Sequence, residues 1–259
     1  MAEKIRLVKI DELKLRDIAS ICDHTFLNRT EAFREKAKEG ERAIELREEA
    51  FERFLRETVN FPYAPYAVCI RPEDVGFVKT HFGIWKKESI VIAAVAGFPD
   101  GSRYSTEFKL AETELAIKEG AREIDFVLNT KKFKQEYTNS VKDEKKEVAK
   151  LAHENRALVK LILETSELRD YEIRGACKMA EENEVDFVKT STGFSAYGAR
   201  AEDLKIMREN FSRGIKISGG VNVKNLKELL YAASGRTDSY IELDPLKIRI
   251  GESSLLNNL

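Results

Sequence analysis

The chain is short of the residues on which several structural classes depend. Its 259 residues include only three cysteines, widely spaced, so neither a disulfide framework nor a zinc cluster is indicated. The three histidines, His24, His81 and His153, show no metal-ligand spacing. No apolar run is long enough to span a membrane, and residues 1–9 are charged and lack a signal-peptide core. We therefore expect a soluble, cytoplasmic protein that contacts no membrane.

An excess of charge of one sign is also missing. The 44 Lys and Arg residues are balanced by 45 Asp and Glu residues, for a net charge of −1. A balanced chain offers neither a basic field for nucleic acid nor an acidic solvating tail. We therefore expect no nucleic-acid partner.

Eight short apolar segments alternate with helical patterns along the chain. They lie near residues 21–26, 66–70, 89–98, 123–129, 158–165, 186–194, 214–220 and 247–254. At this length, eight such units predict an α/β fold, a (β/α)8 TIM barrel forming a single domain over residues 1–259. An open, doubly wound parallel sheet is the alternative, although no G-x-G-x-x-G follows a strand.

Residues 29–60 differ in composition from the rest, being dominated by Glu, Arg, Lys and Ala. Apolar residues recur there at helical spacing: Ala43, Leu46, Ala50, Phe51, Phe54 and Leu55. This pattern predicts an extended, charged helical insertion after the first strand, mostly exposed. We expect it to serve packing or self-association rather than chemistry, with docking of a partner protein as a further hypothesis.

Residues 186–194 begin as a buried strand and then place Lys189 among apolar neighbours. Burial of a lysine in a parallel sheet disfavours the ammonium form and lowers its pKa. A neutral amine in a dry pocket attacks carbonyl groups to form a Schiff base. The alternative is a lysine that sits at the strand end and reaches water.

Polar residues recur near the carboxyl ends of the predicted strands, where barrels carry their active sites. Lys216 lies one strand from Lys189 and is expected to lower its pKa further, while Asp125 is expected to exchange protons during imine formation. Lys160 has a simpler interpretation as half of an ion pair with Glu164 or Asp125. Two lysines and a carboxylate predict a class I aldolase site, which needs no metal or other cofactor.

The last two predicted strands end in glycine-rich segments, 218–220 and 251–254. A short terminal helix is expected after the second of them. Loops after strands seven and eight, with a helix N-terminus, bind phosphate in many barrels. Each glycine segment alone is compatible with a tight turn, but together they predict a phosphorylated substrate.

These segments resemble the deoxyribose-phosphate aldolase family of class I aldolases, which fold as (β/α)8 barrels. The resemblance covers residues 23–25, 67–70, 97–101, 120–125, 160–165, 187–194, 216–220 and 249–254. Its most specific parts are Gly-Phe-Pro-x-Gly at 97–101 and Lys-Thr-Ser-Thr-Gly at 189–193.

The resemblance implies reversible cleavage of 2-deoxy-D-ribose 5-phosphate to acetaldehyde and D-glyceraldehyde 3-phosphate. It implies that Lys189 forms the Schiff base, that Lys216 perturbs it, and that Asp125 shares the proton relay. The residues expected around the substrate and its phosphate are Asp23, Thr25, Cys69, Lys160, Thr192, Gly193, Gly219, Gly220, Gly251, Ser253 and Ser254. The expected partners are the phosphorylated sugar, the aldehyde, and further copies of the chain in a dimer or tetramer.

The chain departs from the family pattern in several places. The insertion at 29–60 is longer than usual, and the segment 234–245, which we expect near the phosphate end, is expanded. Phe194 stands where some relatives carry a phosphate-holding lysine. After Ser254 the sequence lacks the tyrosine-ended tail of some members.

Two rival functions stay open at this point. One is another class I barrel aldolase or transaldolase acting on a phosphorylated sugar. The other is a non-catalytic phosphosugar-binding barrel. The joint presence of Asp125, Lys189 and Lys216 favours an enzyme, because binding alone gives no reason for two buried lysines near each other.

Overall fold

The computed structural model describes residues 6–37, 42–136 and 139–258. The strands are β1 (Leu7–Lys9), β2 (Cys22–Thr25), β3 (Ala67–Ile70), β4 (Val91–Ala96), β5 (Glu123–Val127), β6 (Leu158–Ile162), β7 (Phe187–Lys189), β8 (Gly214–Ser218), β9 (Tyr240–Glu242) and β10 (Ile248–Glu252). The α-helices are α1 (Leu15–Ala19), α2 (Ala43–Asn60), α3 (Val75–Ile84), α4 (Thr106–Glu119), α5 (Thr130–Glu136), α6 (Asn139–Glu154), α7 (Asp170–Glu182), α8 (Ala201–Asn210) and α9 (Leu226–Ser234). No helix in these ranges is long and apolar enough to cross a bilayer.

Eight of the strands close into a parallel barrel in the order β10-β2-β3-β4-β5-β6-β7-β8. The predicted (β/α)8 architecture is confirmed, and the open sheet is wrong. The register aligns Asp125 with Lys160, and Lys189 with Lys216. Because all eight strands run in the same direction, their carboxyl ends meet at one mouth of the barrel.

Alternate residues of each strand face the helices and the barrel interior. The outward residues of β5 and β6, among them Ile124 and Leu161, join the large apolar core shared with the helices. A smaller apolar cluster fills the interior: Leu27, Cys69, Ala93, Val95, Phe98, Val127 and Ile162. The same alternation directs Glu123 and Asp125, two residues apart, to the interior.

The predicted helical insertion contains a short 3-10 helix (Thr30–Phe33) and α2. The buried face of α2 contains Phe51, Phe54 and Leu55. The rings of Phe51 and Phe54 lie 5.2 and 5.5 Å from that of Phe26, just after β2. Residues 38–41, inside the predicted insertion, lie outside the described residues.

The segment 234–245 is not a plain loop, since its strand β9 pairs antiparallel with β1. The expectation that it lies near the phosphate end was wrong. This segment connects α9 to β10, so it enters that strand at its amino end, opposite the barrel mouth. None of its residues lines the pocket at the mouth.

Candidate active site

A pocket of about 270 Å³ opens at the carboxyl ends of the barrel strands. Its lining is Thr25, Phe26, Leu27, Asn28, Lys189, Thr192, Gly193, Phe194, Ser218, Gly219, Gly220, Gly251, Glu252 and Ser253. Among these described lining residues, Lys189 and Glu252 are the only ionisable side chains. The pocket therefore combines one amine at its floor with a carboxylate nearer its rim.

Asp125 is the centre of the polar cluster beneath the pocket. Its Oδ2 atom accepts hydrogen bonds from Lys189 Nζ at 3.0 Å and from Lys216 Nζ at 2.7 Å. The thiol of Cys69 also donates to Oδ2, at 3.7 Å. Lys160 Nζ donates to Oδ1 at 2.7 Å. One buried carboxylate thus holds three lysines contributed by β6, β7 and β8.

Two further carboxylates and an arginine extend this cluster through the barrel. Lys216 Nζ lies 2.5 Å from Asp23 Oδ2, and Lys160 Nζ lies 2.6 Å from Glu123 Oε2. The Arg249 guanidinium donates to Asp23, and to Glu123 at 2.5 Å. Every member has a partner of opposite charge, as burial of so many ionised groups requires.

Two carboxylates of the cluster, Asp125 and Asp23, are held in their ionised form. Burial by itself raises the pKa of Asp125, but the charges of Lys160, Lys216 and Lys189 hold it well below its usual range. For Asp23, burial likewise raises the pKa, but Arg249 and Lys216 outweigh it and lower the pKa to about 2.

The neighbouring carboxylates in turn stabilise the protonated forms of Lys216 and Lys160. Burial lowers the pKa of Lys216, but Asp125 and Asp23 raise it well above its usual value. Burial also lowers the pKa of Lys160, and Asp125 and Glu123 raise it above the ordinary value. Lys216 therefore carries a proton beside Lys189.

Side-chain hydrogen bonds hold the ends of β7 and β8 together beside Lys189. Thr190 Oγ1 donates to Ser218 O and accepts from Ser218 N, both at 2.9 Å. Ser218 Oγ donates to Ser191 O at 2.5 Å. These bonds fix the backbone on both sides of the lysine.

Glu164 holds the loop that follows Lys189. It follows β6 with φ of +55°, in the left-handed region that costs a non-glycine residue free energy. Its Oε2 accepts hydrogen bonds from the hydroxyl of Thr192 and from Thr192 N, the latter at 3.2 Å. Strained backbone of this kind persists where surrounding contacts over-determine it.

The glycine segment after β8 is shaped by close backbone approach. Gly219 and Gly220 have φ of +86° and +71°, a conformation that side chains rarely allow. A Cβ atom on Gly198 would collide with the carbonyl oxygen of Gly219. This wall of the pocket is therefore backbone, as the sequence predicts for 218–220.

The segment after β10 brings Glu252 and Ser253 to the pocket. Glu252 Oε1 accepts hydrogen bonds from Ser253 N at 2.9 Å and from Ser253 Oγ at 3.2 Å. The predicted terminal helix is a 3-10 turn over Leu255–Asn257. His24 Nε2 lies 3.0 Å from Ser253 O and His24 Nδ1 lies 2.8 Å from Thr58 Oγ1, which links α2 to this segment.

The predicted site residues fall into three groups. Lining the pocket are Lys189, Thr25, Thr192, Gly193, Gly219, Gly220, Gly251 and Ser253. Asp23, Cys69, Asp125, Lys160 and Lys216 lie beneath it in the barrel interior. Ser254 is outside this lining, beside Val221 and Lys224 in a neighbouring depression.

Sequence reasoning missed three members of the site. Glu123 and Arg249 each lie two residues before a predicted site residue on the same strand, so the period-two alternation could have placed them inside. Glu252 stands within the segment 251–254 but was not singled out.

Of the two ion-pair partners considered for Lys160, the structure shows Asp125. Lys160 also pairs with Glu123, whereas Glu164 binds Thr192.

Across the described ranges, no group of three or more His, Cys, Asp or Glu side chains is arranged to hold a metal ion.

Comparisons with known proteins show the family of this chain. The sequence model described as "DeoC/LacD family aldolase" matches residues 18–257. Deoxyribose-phosphate aldolase of Thermococcus gammatolerans is 39% identical over 207 residues, 79% of this chain and 84% of that protein. The deoxyribose-phosphate aldolase of Aciduliprofundum boonei is 38% identical over 224 residues, 85% of this chain and 91% of that protein. A solved structure of an aldolase called QR15 superposes with a TM-score of 0.71 at 26% identity, covering 95% of both chains.

Proposed function

The chain belongs to the DeoC/LacD family of aldolases, and from this premise we propose that it is a class I enzyme that reversibly cleaves 2-deoxy-D-ribose 5-phosphate. The products are acetaldehyde and D-glyceraldehyde 3-phosphate. The relatives named deoxyribose-phosphate aldolase, matched over most of their length, support this substrate. The observation that carries the mechanism is Lys189, which lines the pocket and also touches a buried carboxylate.

The charges of the buried cluster balance without a contribution from Lys189. The other cations are Lys160, Lys216 and Arg249, three positive charges. The carboxylates are Asp23, Asp125 and Glu123, three negative charges. These three cations and three carboxylates sum to zero, so the charge balance of the six groups does not depend on Lys189.

Schiff-base formation uses Lys189 as a neutral amine nucleophile. Lys189 Nζ attacks the C1 aldehyde of the open-chain sugar, and Asp125 carries a proton from the nitrogen to the new alkoxide to give the carbinolamine. The ammonium of Lys216 gives a proton to the leaving hydroxyl, which departs as water. An iminium remains at C1, its charge faced by Asp125 Oδ2.

The iminium then accepts the electrons of the C2–C3 bond. As this bond breaks, the C3 hydroxyl becomes the aldehyde of glyceraldehyde 3-phosphate, and its proton returns to Lys216, directly or through water. The enamine left on Lys189 takes a proton at C2 from Lys216. Water then adds to C1, releases acetaldehyde and returns the last proton to Lys216.

We further propose that residues 1–259 form one catalytic domain. The insertion supports this proposal, because α2 packs on Phe26 beside the pocket and Thr58 of α2 bonds His24 of β2.

A coupled assay for glyceraldehyde 3-phosphate tests this function. The parent protein is expected to cleave 2-deoxyribose 5-phosphate, and Lys189→Met to lose at least about 10³-fold in kcat. Lys178→Met, a surface change on α7, is the matched control and is expected to keep the parent rate. Loss of the rate on adding a chelator, or retention of turnover by Lys189→Met, would contradict the class I mechanism. A folded parent protein that binds the sugar without cleaving it would indicate the non-catalytic barrel.

A further inference from the structure

Glu252 is a carboxylate in the part of the pocket where a barrel enzyme ordinarily receives the anionic end of its substrate. It lies at the end of β10, the eighth barrel strand, and lines the pocket beside Gly251 and Ser253. The loops after barrel strands seven and eight are the usual phosphate-binding elements of this fold. The mechanism proposed above uses Lys189, Lys216 and Asp125 and gives Glu252 no role.

The carboxylate of Glu252 already occupies the two donors of Ser253. Both the backbone N–H and the hydroxyl of Ser253 donate to its Oε1 atom, at 2.9 and 3.2 Å. A phosphate bound beside Ser253 would compete with Glu252 for these two donors, because phosphate oxygens accept hydrogen bonds from the same kinds of group. The Glu252 carboxylate therefore occupies the position at which a bound anion would accept hydrogen bonds from Ser253.

No cation offsets this charge within the described pocket lining. Lys189 is the only basic residue there, and its Nζ is bound to Asp125 on the floor. The large apolar side chains of the lining are Phe26, Leu27 and Phe194, and Phe194 is 59% exposed. A phosphate dianion entering this space meets a like charge without a compensating partner.

An uncharged substrate end fits the same atoms better. A sugar or aldehyde hydroxyl can donate to Glu252 and accept from Ser253, whereas a dianionic phosphate has no proton to donate. The Glu252 Oε2 atom has no hydrogen-bond partner within the part of the chain that the structure describes, so it is available to such a hydroxyl.

We propose that Glu252 is a specificity-determining residue that weakens the selection for phosphate and extends the substrate class to unphosphorylated 2-deoxy sugars and hydroxyaldehydes. This inference rests on the proposed aldolase function. It predicts that the ratio of kcat/KM for 2-deoxyribose 5-phosphate to that for 2-deoxyribose is set largely by one carboxylate.

The test compares the two sugars in the parent protein, in Glu252→Gln and in Glu252→Ala. Both variants are expected to raise the ratio about tenfold, the effect of removing one like charge at close range. The rise is expected in a lower KM for the phosphorylated sugar, together with a lower kcat/KM for 2-deoxyribose in Glu252→Ala. Glu154→Gln, which removes an exposed charge at the end of α6, is the control and is expected to leave the ratio unchanged.

Inorganic phosphate provides a second readout that needs no phosphorylated substrate. As a competitor of 2-deoxyribose cleavage, it is expected to inhibit Glu252→Gln about tenfold more strongly than the parent. A parent enzyme that cleaves either sugar, with an unchanged ratio and unchanged phosphate inhibition in both variants, would overturn the role of Glu252. Failure of the parent and both variants to cleave either sugar would instead overturn the proposed function.

Discussion

Lys189 and Lys216 donate to the same carboxylate oxygen, Asp125 Oδ2, at 3.0 and 2.7 Å. The two lysines lie opposite each other on neighbouring strands β7 and β8. Only Lys189 of the pair lines the pocket, since Lys216 is fully buried. Asp125 therefore connects the protonated Lys216 to Lys189, whose amine faces the substrate pocket.

Replacing the shared carboxylate is expected to harm both stability and turnover. Asp125→Asn leaves the cations of the cluster facing only Asp23 and Glu123, which is expected to cost about 3–5 kcal/mol of the free energy of unfolding. Loss of the proton relay is expected to lower kcat by about 10²–10⁴-fold. Urea titration and a steady-state assay measure the two effects.

Lys189→Met is the matched comparison for stability. This change leaves three cations and three carboxylates, so we expect a smaller stability loss than in Asp125→Asn. An equal or larger loss in Lys189→Met would contradict the charge balance that we assign to the cluster.

The lack of a side chain at Gly251 leaves the space that the Lys216 side chain occupies. A Cβ atom at this residue would lie 2.8 Å from Lys216 Cε and 3.3 Å from Ser218 Cβ. Gly251→Ala is therefore expected to displace the ammonium from Asp125 and to lower kcat by about 10-fold or more, since small misplacements near reacting groups are costly. Steady-state kinetics measure the change.

Gly83→Ala is the control for this substitution. Gly83 lies in α3, where an added Cβ meets nothing within 4 Å, and alanine favours helix by up to about 1 kcal/mol. We expect unchanged kcat and equal or greater stability. A Gly251→Ala enzyme as active as Gly83→Ala would show that Lys216 tolerates displacement.

The stability of the fold is expected to fall as pH decreases because of His24. Burial lowers the pKa of this histidine from 6.5 to about 4, although its bond to Ser253 O opposes the shift. The unfolded chain binds the proton near pH 6.5 and the folded chain only near pH 4, so stability rises with pH across this window. Between pH 7 and pH 5 we expect this one residue to account for a loss of about 2 kcal/mol.

Urea denaturation at pH 7 and pH 5 measures this loss. His24→Gln is expected to flatten the pH dependence by that amount, whereas His81→Gln, on the outer helix α3, is expected to keep the parent slope. If both variants retain the parent slope, the pH dependence originates elsewhere.

Much of the fold could be predicted because its signals are local. The apolar strands and the apolar positions of α2 can each be identified from a short stretch of sequence. The pairing of β1 with β9 joins segments more than 200 residues apart, and neither carries a pattern strong enough to reveal the other.

The part of the site that could be predicted consists of polar residues that interrupt apolar strand sequences. Lys189, Lys216 and Asp125 stand out among apolar neighbours, and the structure brings them onto one oxygen. Arg249 and Glu123 stand out equally, but their importance depends on ion pairs with residues on other strands. The contact of Glu252 with Ser253 depends on a side-chain rotamer, which sequence patterns do not specify.

Reductive trapping tests the central claim most directly. The full chain is incubated with 2-deoxyribose 5-phosphate or acetaldehyde, reduced with borohydride, digested, and analysed by mass spectrometry. We predict a covalent adduct on Lys189 that is absent from Lys189→Met and present in Lys178→Met. A folded, sugar-cleaving protein with no adduct on any lysine, or with the adduct on a lysine other than Lys189, would contradict the account.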